Sequence, residues 1–524
     1  MRVEKVSYEQ TSFFSEFILD YLSGDERLTP FYHRSPHLSS FKAQIEEKQK
    51  QNINRSVLVE ALNEQYSSVD TSDFVTSNIQ LLEQEKTFTV TTGHQLCLFT
   101  GPLYFIYKII TTINLAEELK RAYPDFNFVP IYWMASEDHD FEEINHVHVF
   151  GQKLAWNQPQ EGPVGVMPTE SLSSTLEELK DVLGDSSAAK DLYRLFSESY
   201  IGSKDMSSAT RALVNALFSK FGLVVLDAGT IALKKEAISL IKKDVLDQRN
   251  YPLIQEVNND LGKAQAFVRP INFFYLQERS RNRIEQDGSD FVVLNSDLRF
   301  TREELSQEIE NHPERFSPNV LLRPLFKELL LPNLAMIGGG AEVNYWMQLK
   351  STFSANKIAF PILLLRNSAM VVSNTLVDKV KKTGFELVDF FLSEEILHKH
   401  FIDRNKEGDI GVETEKSQIE SIFDALAQRI QDPGFQSSVF AEKKKQLKSL
   451  SKMEQKLRKS EKLKHQNSLS QISNVKAKLF PNNTLQERYD NIIPMYLNYG
   501  SSFIDALKEA FDPFDQKFTL FIDD

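Results

Sequence analysis

An α/β protein built on an open parallel sheet is predicted by three observations. Two strand-like runs, 87–92 and 131–135, flank a segment with helical spacing. Each run leads into a polar motif, Thr92-Gly93-His94-Gln95 after the first and Glu137-Asp138-His139-Asp140-Phe141-Glu142-Glu143 after the second. Further apolar runs at 221–229, 334–342 and 360–366 close on Asp227-Ala228-Gly229, on Gly338-Gly339-Gly340 and on Arg366.

Residues 87–92 are β-branched and aromatic, which suits a buried pleated surface. Beyond Gly101-Pro102, the residues Leu103, Ile106, Ile109, Ile110, Ile113 and Ala116 predict a helix to about Arg121. Pro102 stands near its first turn, where a fixed φ and a missing donor cost least. The crossover is long enough for parallel pairing of 87–92 with 131–135. Ligands of such sheets sit outside the carboxyl ends of the strands, where both motifs fall.

Composition narrows the classes. At 524 residues the chain exceeds one ordinary core. Hydrophobic residues at 41%, with 38 phenylalanines, exclude global disorder. A net charge of −13 disfavours a surface given over to nucleic acid or anionic membrane. The single cysteine, Cys97, rules out an internal disulfide framework or a cysteine-built zinc site. The amino terminus lacks an apolar signal region and no run approaches a membrane span, so a cytoplasmic protein without nucleic-acid or membrane partners is expected.

Along the chain, residues 1–149 read as mostly helical to about residue 85, then as the first half of the core. Residues 150–210 are polar, with a Gly162-Pro163-Val164-Gly165 turn, and read as an insertion. A core strand and helix return at 211–232, and a second insertion follows at 233–318, with β-like runs at 273–276 and 291–294. Residues 319–387 complete the core. From 388 to 484 the chain reads as helical, and Leu447, Leu450, Met453, Leu457, Leu463, Leu469, Ile472, Val475 and Leu479 predict one long coiled-coil hairpin. A tail, 485–524, is expected to return to the core.

The strand ends carry the chemistry. An imidazole at His94 could stabilise developing negative charge with Gln95 beside it, against the plainer reading of a polar helix cap. Asp138, His139, Asp140, Glu142 and Glu143 could supply a base, an orienting acid or a site for an ammonium group, although such runs also form solvated loops. A metal site from His139, His146, His148 and Asp138 matches no zinc spacing, so no bound metal or organic cofactor is expected. The three glycines before a helical 343–349 suggest an anion-binding turn, but they are neither a Walker loop nor a full dinucleotide fingerprint. Lys108, Arg323 and Arg366 are candidate partners for a dicarboxylate or a nucleotide, or else structural ion pairs. Tyr345 and Trp346 read as core packing or as a stacking surface.

At these residues the sequence resembles the bacillithiol biosynthesis cysteine-adding enzymes, a family of cysteine ligases. The matching pieces are 92–95 with Leu98-Phe99-Thr100-Gly101-Pro102-Leu103-Tyr104, 137–145, 162–165, 316–324, 338–342 with Tyr345-Trp346, and Leu485-Gln486-Glu487-Arg488. The family pattern usually carries a small residue where Cys97 stands and often a proline near Gly340, so neither is a family signature. The resemblance implies a Rossmann-like parallel-sheet core with two connective-peptide insertions, a C-terminal antiparallel coiled coil and a homodimer. It also implies a reaction, the joining of L-cysteine to glucosaminyl-malate to give bacillithiol. Amide formation from a free carboxylate is uphill, so ATP with Mg2+, or another nucleotide, is expected to activate the cysteine. The candidate catalytic residues are then His94, Gln95, Asp138 and His139. The candidate substrate-binding residues are Thr92, Gly93, Tyr104, Lys108, Asp140, Glu142, Arg323, Gly339, Gly340, Glu342, Tyr345, Trp346 and Arg366. Two other readings stay open: an amino-acid-activating or nucleotidyl-transfer relative acting on another amine, and a non-catalytic coiled-coil scaffold.

Overall fold

The computed structural model describes residues 1–157, 161–262, 264–405 and 411–523. Its central sheet contains β1 (Thr87–His94), β2 (Asn127–Met134), β3 (Val224–Asp227), β4 (Asn333–Gly338) and β5 (Ile362–Leu365). All neighbours are parallel, in the order β3-β2-β1-β4-β5. The chain moves outward from β1 to β3 and then returns to place β4 against the other side of β1. The topological switch point therefore lies between β1 and β4, where open α/β sheets bind ligands. These strands are buried along nearly their whole length, with no polar alternation, as expected of a parallel sheet covered on both faces.

Helix α1 (Tyr104–Ala122) makes the crossover from β1 to β2. Lys120 in its last turn donates to the carbonyls of Pro124 and Phe126, which closes the connection into β2. Helix α2 (Arg323–Leu330) leads into β4, and α3 (Gly340–Met347) leaves it. The stretch between β2 and β3 contains a hairpin, His146–Val149 with Gln152–Ala155, and helices Ser173–Leu183 and Ser187–Ile201. The stretch between β3 and β4 carries a separate five-stranded antiparallel sheet.

Helices α4 (Glu413–Gln428) and α5 (Pro433–Lys464) form the coiled-coil hairpin. The ion pairs Lys416–Glu454 and Lys443–Asp424 run in opposite order along the two helices, which fixes the antiparallel arrangement. The predicted stripe does not continue through it as one seam. The chain breaks at His465, and α6 (Gln466–Leu479) buries Leu469, Ile472, Val475 and Leu479 against the body. In α5, by contrast, Met453, Leu457 and Leu463 are 55%, 45% and 65% exposed.

The amino terminus also departs from the helical expectation. Arg2–Ser7 is a strand, antiparallel to Lys517–Ile522, which pairs in parallel with Ser368–Val372. Its pairing partner lies at the far end of the chain, so no local pattern announces it.

Candidate active site

A cavity of about 350 Å³ opens at the carboxyl ends of β1, β2, β4 and β5, over the switch point. From β1 come Gly93, His94 and Gln95, and from α1 come Tyr104 and Lys108. The loop after β2 brings Asp138, and α2 brings Arg323. Gly339, Gly340, Glu342, Tyr345 and Trp346 follow β4, and Arg366 follows β5. The strand-end residues, separated by up to 273 positions in sequence, thus converge because parallel strands all deliver their carboxyl ends to one edge.

The His94 ring stacks on Phe105 at 5.1 Å between centroids, and Tyr104 meets it edge-on at 5.3 Å. Burial holds its pKa well below the ordinary imidazole value, and the nearby Lys108 and Arg366 cations add to that shift. His94 is therefore neutral at physiological pH, able to donate from one nitrogen and accept at the other. Its neighbour Gln95 donates to Glu143 at 2.7 Å.

Burial favours the neutral form of Asp138, but Arg323, which meets it with two guanidinium nitrogens, and Arg281 outweigh that. The net effect lowers the Asp138 pKa, so it is a fixed anion and a poor base. Lys108 is buried and bridges the Gly93 carbonyl, 2.9 Å away, and the Glu342 carboxylate, 2.6 Å away. Burial raises the Tyr104 phenol to about 12, and the Arg366 guanidinium lies over its ring at 5.3 Å.

Glycine works differently in the β4 turn than dihedral freedom would suggest. Gly339 has a φ of −77°, accessible to any residue. What crowds a side chain is proximity: a Cβ at Gly340 would stand 3.1 Å from Ile18, and one at Gly338 would stand 2.9 Å from the Met336 sulfur, so each neighbour would have to shift. The α3 N-terminus is also partly occupied, since the Gly339 N–H donates to Glu342 at 2.8 Å. The anion-binding expectation for this turn therefore shifts to the cations around it.

Four predicted residues lie outside the cavity. Thr92 is buried between strands, donating to the Ile337 carbonyl at 2.9 Å. His139 is exposed beside Arg281 and Phe274. Asp140 caps the short helix Phe141–Ile144, and Glu142 is exposed in its first turn. Two cations that the sequence reading passed over do line it, Lys327 and Arg488. Lys327 follows Arg323 by four positions on α2, the spacing that places two side chains on one helix face. A broader groove of about 1340 Å³ lies beyond Glu137, lined by Ser136, Ser207, Arg211 and Asp227, and none of the predicted site residues reaches it.

Residues 1–367 match the family described as Bacillithiol biosynthesis BshC, N-terminal Rossmann-like domain, and residues 369–522 match its C-terminal coiled-coil domain. This chain belongs to the BshC family. Among its BshC relatives, one from Flavobacterium psychrophilum is 42% identical over 527 residues, covering 99% of both chains. Another from Flavobacterium johnsoniae is 40% identical, also over 99% of both, and one from Christiangramia forsetii is 41% identical over 98% of both. Each carries a provisional name, cysteine ligase BshC.

Proposed function

We propose that this protein joins the carboxyl group of L-cysteine to the amino group of glucosaminyl-malate, forming the amide of bacillithiol in the His94 cavity. The supporting observation is the juxtaposition of a neutral imidazole with Lys108, Arg323, Lys327, Arg366 and Arg488 at one switch point, in a chain of this family. A set of cations around a neutral donor suits a reaction whose substrates are anionic and whose transition state gathers charge on oxygen.

A nucleotide, ATP with Mg2+, is the proposed source of activation, by adenylyl or phosphoryl transfer to the cysteine carboxylate. The cations lining the cavity have the sign that a phosphate chain requires. The two carboxylates at the cavity, Asp138 and Glu342, are already held by Arg323 and Lys108, so the magnesium is proposed to enter with the phosphates. In this reading His94 and Gln95 donate to the carboxyl oxygen that gains charge, and Asp138, an anion and not a base, fixes the Arg323 guanidinium at the cavity wall. Gly339 and Gly340 let the ligand approach the backbone. The protein is proposed to work in the reducing cytoplasm as a homodimer joined through its hairpin.

The test is mass spectrometry of the purified protein with L-cysteine, glucosaminyl-malate and ATP with magnesium. Bacillithiol is expected, formed about 10²–10³-fold more slowly by His94→Ala. No product from the folded parent protein would overturn the reading, and an unchanged His94→Ala rate would remove His94 from it.

A further inference from the structure

The segment 485–491 belongs to the C-terminal domain, yet it brings Arg488 to the Rossmann-like cavity and is fixed at both ends. On one side Gln486 exchanges two hydrogen bonds with the backbone of Val371, at 2.8 and 3.2 Å. Glu487, fully buried, accepts from Arg366 at 2.6 Å, from Ser368 at 3.2 Å and from the Ala369 N–H at 3.0 Å. On the other side, the Asp490 carbonyl accepts from the Leu103 N–H, and the Asn491 amide donates to the carbonyls of Phe99 and Gly101. That second anchor grips a turn in which Phe99, Thr100 and Gly101 all have positive φ, a costly geometry for the first two that needs such support. Tyr489 stacks on His148 at 4.4 Å. Between these fixed points the Arg488 side chain is left exposed at the cavity, its guanidinium with no hydrogen bond or ion pair among the described residues.

The charges around the cavity show what Arg488 is left to meet. Lys108 faces Glu342, Arg323 faces Asp138 and Arg366 faces Glu487, so these three pairs balance. Lys327 is buried over the Trp346 ring at 4.6 Å, and its nearest carboxylate is Glu328 at 4.0 Å. That carboxylate is already engaged by buried Lys48 at 3.2 Å. Two cations, Lys327 and Arg488, are thus in excess, and a buried ammonium without a close partner is expensive unless a ligand supplies one.

We propose that Arg488 and Lys327 recognise the two carboxylates of a dianionic ligand, and that 485–491 is a rigid arm by which the C-terminal domain completes the active site. In the reaction proposed above this ligand is the malate moiety of glucosaminyl-malate. The assignment rests on that reading for its substrate but can be tested without the reaction.

The experiment is calorimetric titration of the full-length protein with L-malate. The parent is expected to bind it, and Arg488→Gln to weaken binding at least about tenfold, the loss of one charge-assisted contact. Because Arg488 is exposed, the variant should unfold at the parent's denaturant midpoint. Lys327→Met should weaken malate comparably, with Lys327→Arg restoring it. Equal malate affinity in the parent and Arg488→Gln, or a parent that does not bind malate at millimolar concentration, would overturn the proposal. Arg488-dependent malate binding by a protein that forms no bacillithiol would instead overturn the reaction and leave this assignment standing.

Discussion

His94, Asp138 and Lys327 show how burial decides what a titratable group can do. The unfolded chain takes up a proton at His94 near pH 6.5 and the folded chain does not, so its contribution to stability is complete above that pH and lost below it. Denaturant midpoints at pH 7.5 and 5.5 should therefore fall less on acidification for His94→Gln than for the parent, and an equal fall would contradict a neutral buried ring. At Asp138 the prediction concerns its partners. Asp138→Asn strips a carboxylate from Arg323 and Arg281 and should cost roughly 1.5–3 kcal/mol in denaturant unfolding. For Lys327, burial lowers the pKa to about 8, against the pull of Glu328 and Glu342 and with Lys48 and Lys108 adding to the fall. Its charge is present below that pH, so malate affinity should decline as pH rises through about 8, and Lys327→Arg should remove the decline. The sequence placed His94 and Asp138 at strand ends because their strands are long apolar runs. It passed over Lys327 because one lysine among helical neighbours carries no mark of its burial.

At the scale of elements, the switch-point strands were readable and their supports were not. The motif 485–488 carries part of the resemblance, but the work of the segment 485–491 depends on contacts with Val371, Arg366 and Phe99, between 115 and 392 positions away along the chain. The glycines of 338–340 suggest conformational freedom in the sequence, whereas in the fold Gly338 and Gly340 are crowded by Met336 and Ile18. The coiled-coil stripe was likewise legible in its period and not in its partner. Its second part packs on the body, while Met453, Leu457 and Leu463 of α5 face outward. If the hairpin joins two copies of the chain, Met453→Glu with Leu457→Glu should lower the mass measured by light scattering from dimer to monomer. Both positions are exposed in the single chain, so the substituted protein should keep its fold while losing the concentration dependence that dimerisation gives the parent's unfolding midpoint. A dimer that survives both substitutions would place the interface elsewhere.

For the molecule as a whole, the strand order β3-β2-β1-β4-β5 gathers residues from 93 to 366 at one edge, and the tail adds Arg488 from beyond the hairpin. The α/β class and the parallel core could be read from run lengths and crossover spacing. The three-stranded sheet that joins Arg2–Ser7 to Lys517–Ile522 could not, since it is written only in the meeting of two distant ends. In the proposed reaction this cavity activates the cysteine carboxyl group through a nucleotide. That activation is tested most directly by running the reaction with L-cysteine carrying 18O in its carboxyl group and following the label by mass spectrometry. One labelled oxygen should pass to AMP if activation is by adenylyl transfer, or to phosphate if by phosphoryl transfer, for each bacillithiol formed. Bacillithiol accompanied by unlabelled AMP and unlabelled phosphate would rule out activation through a nucleotide.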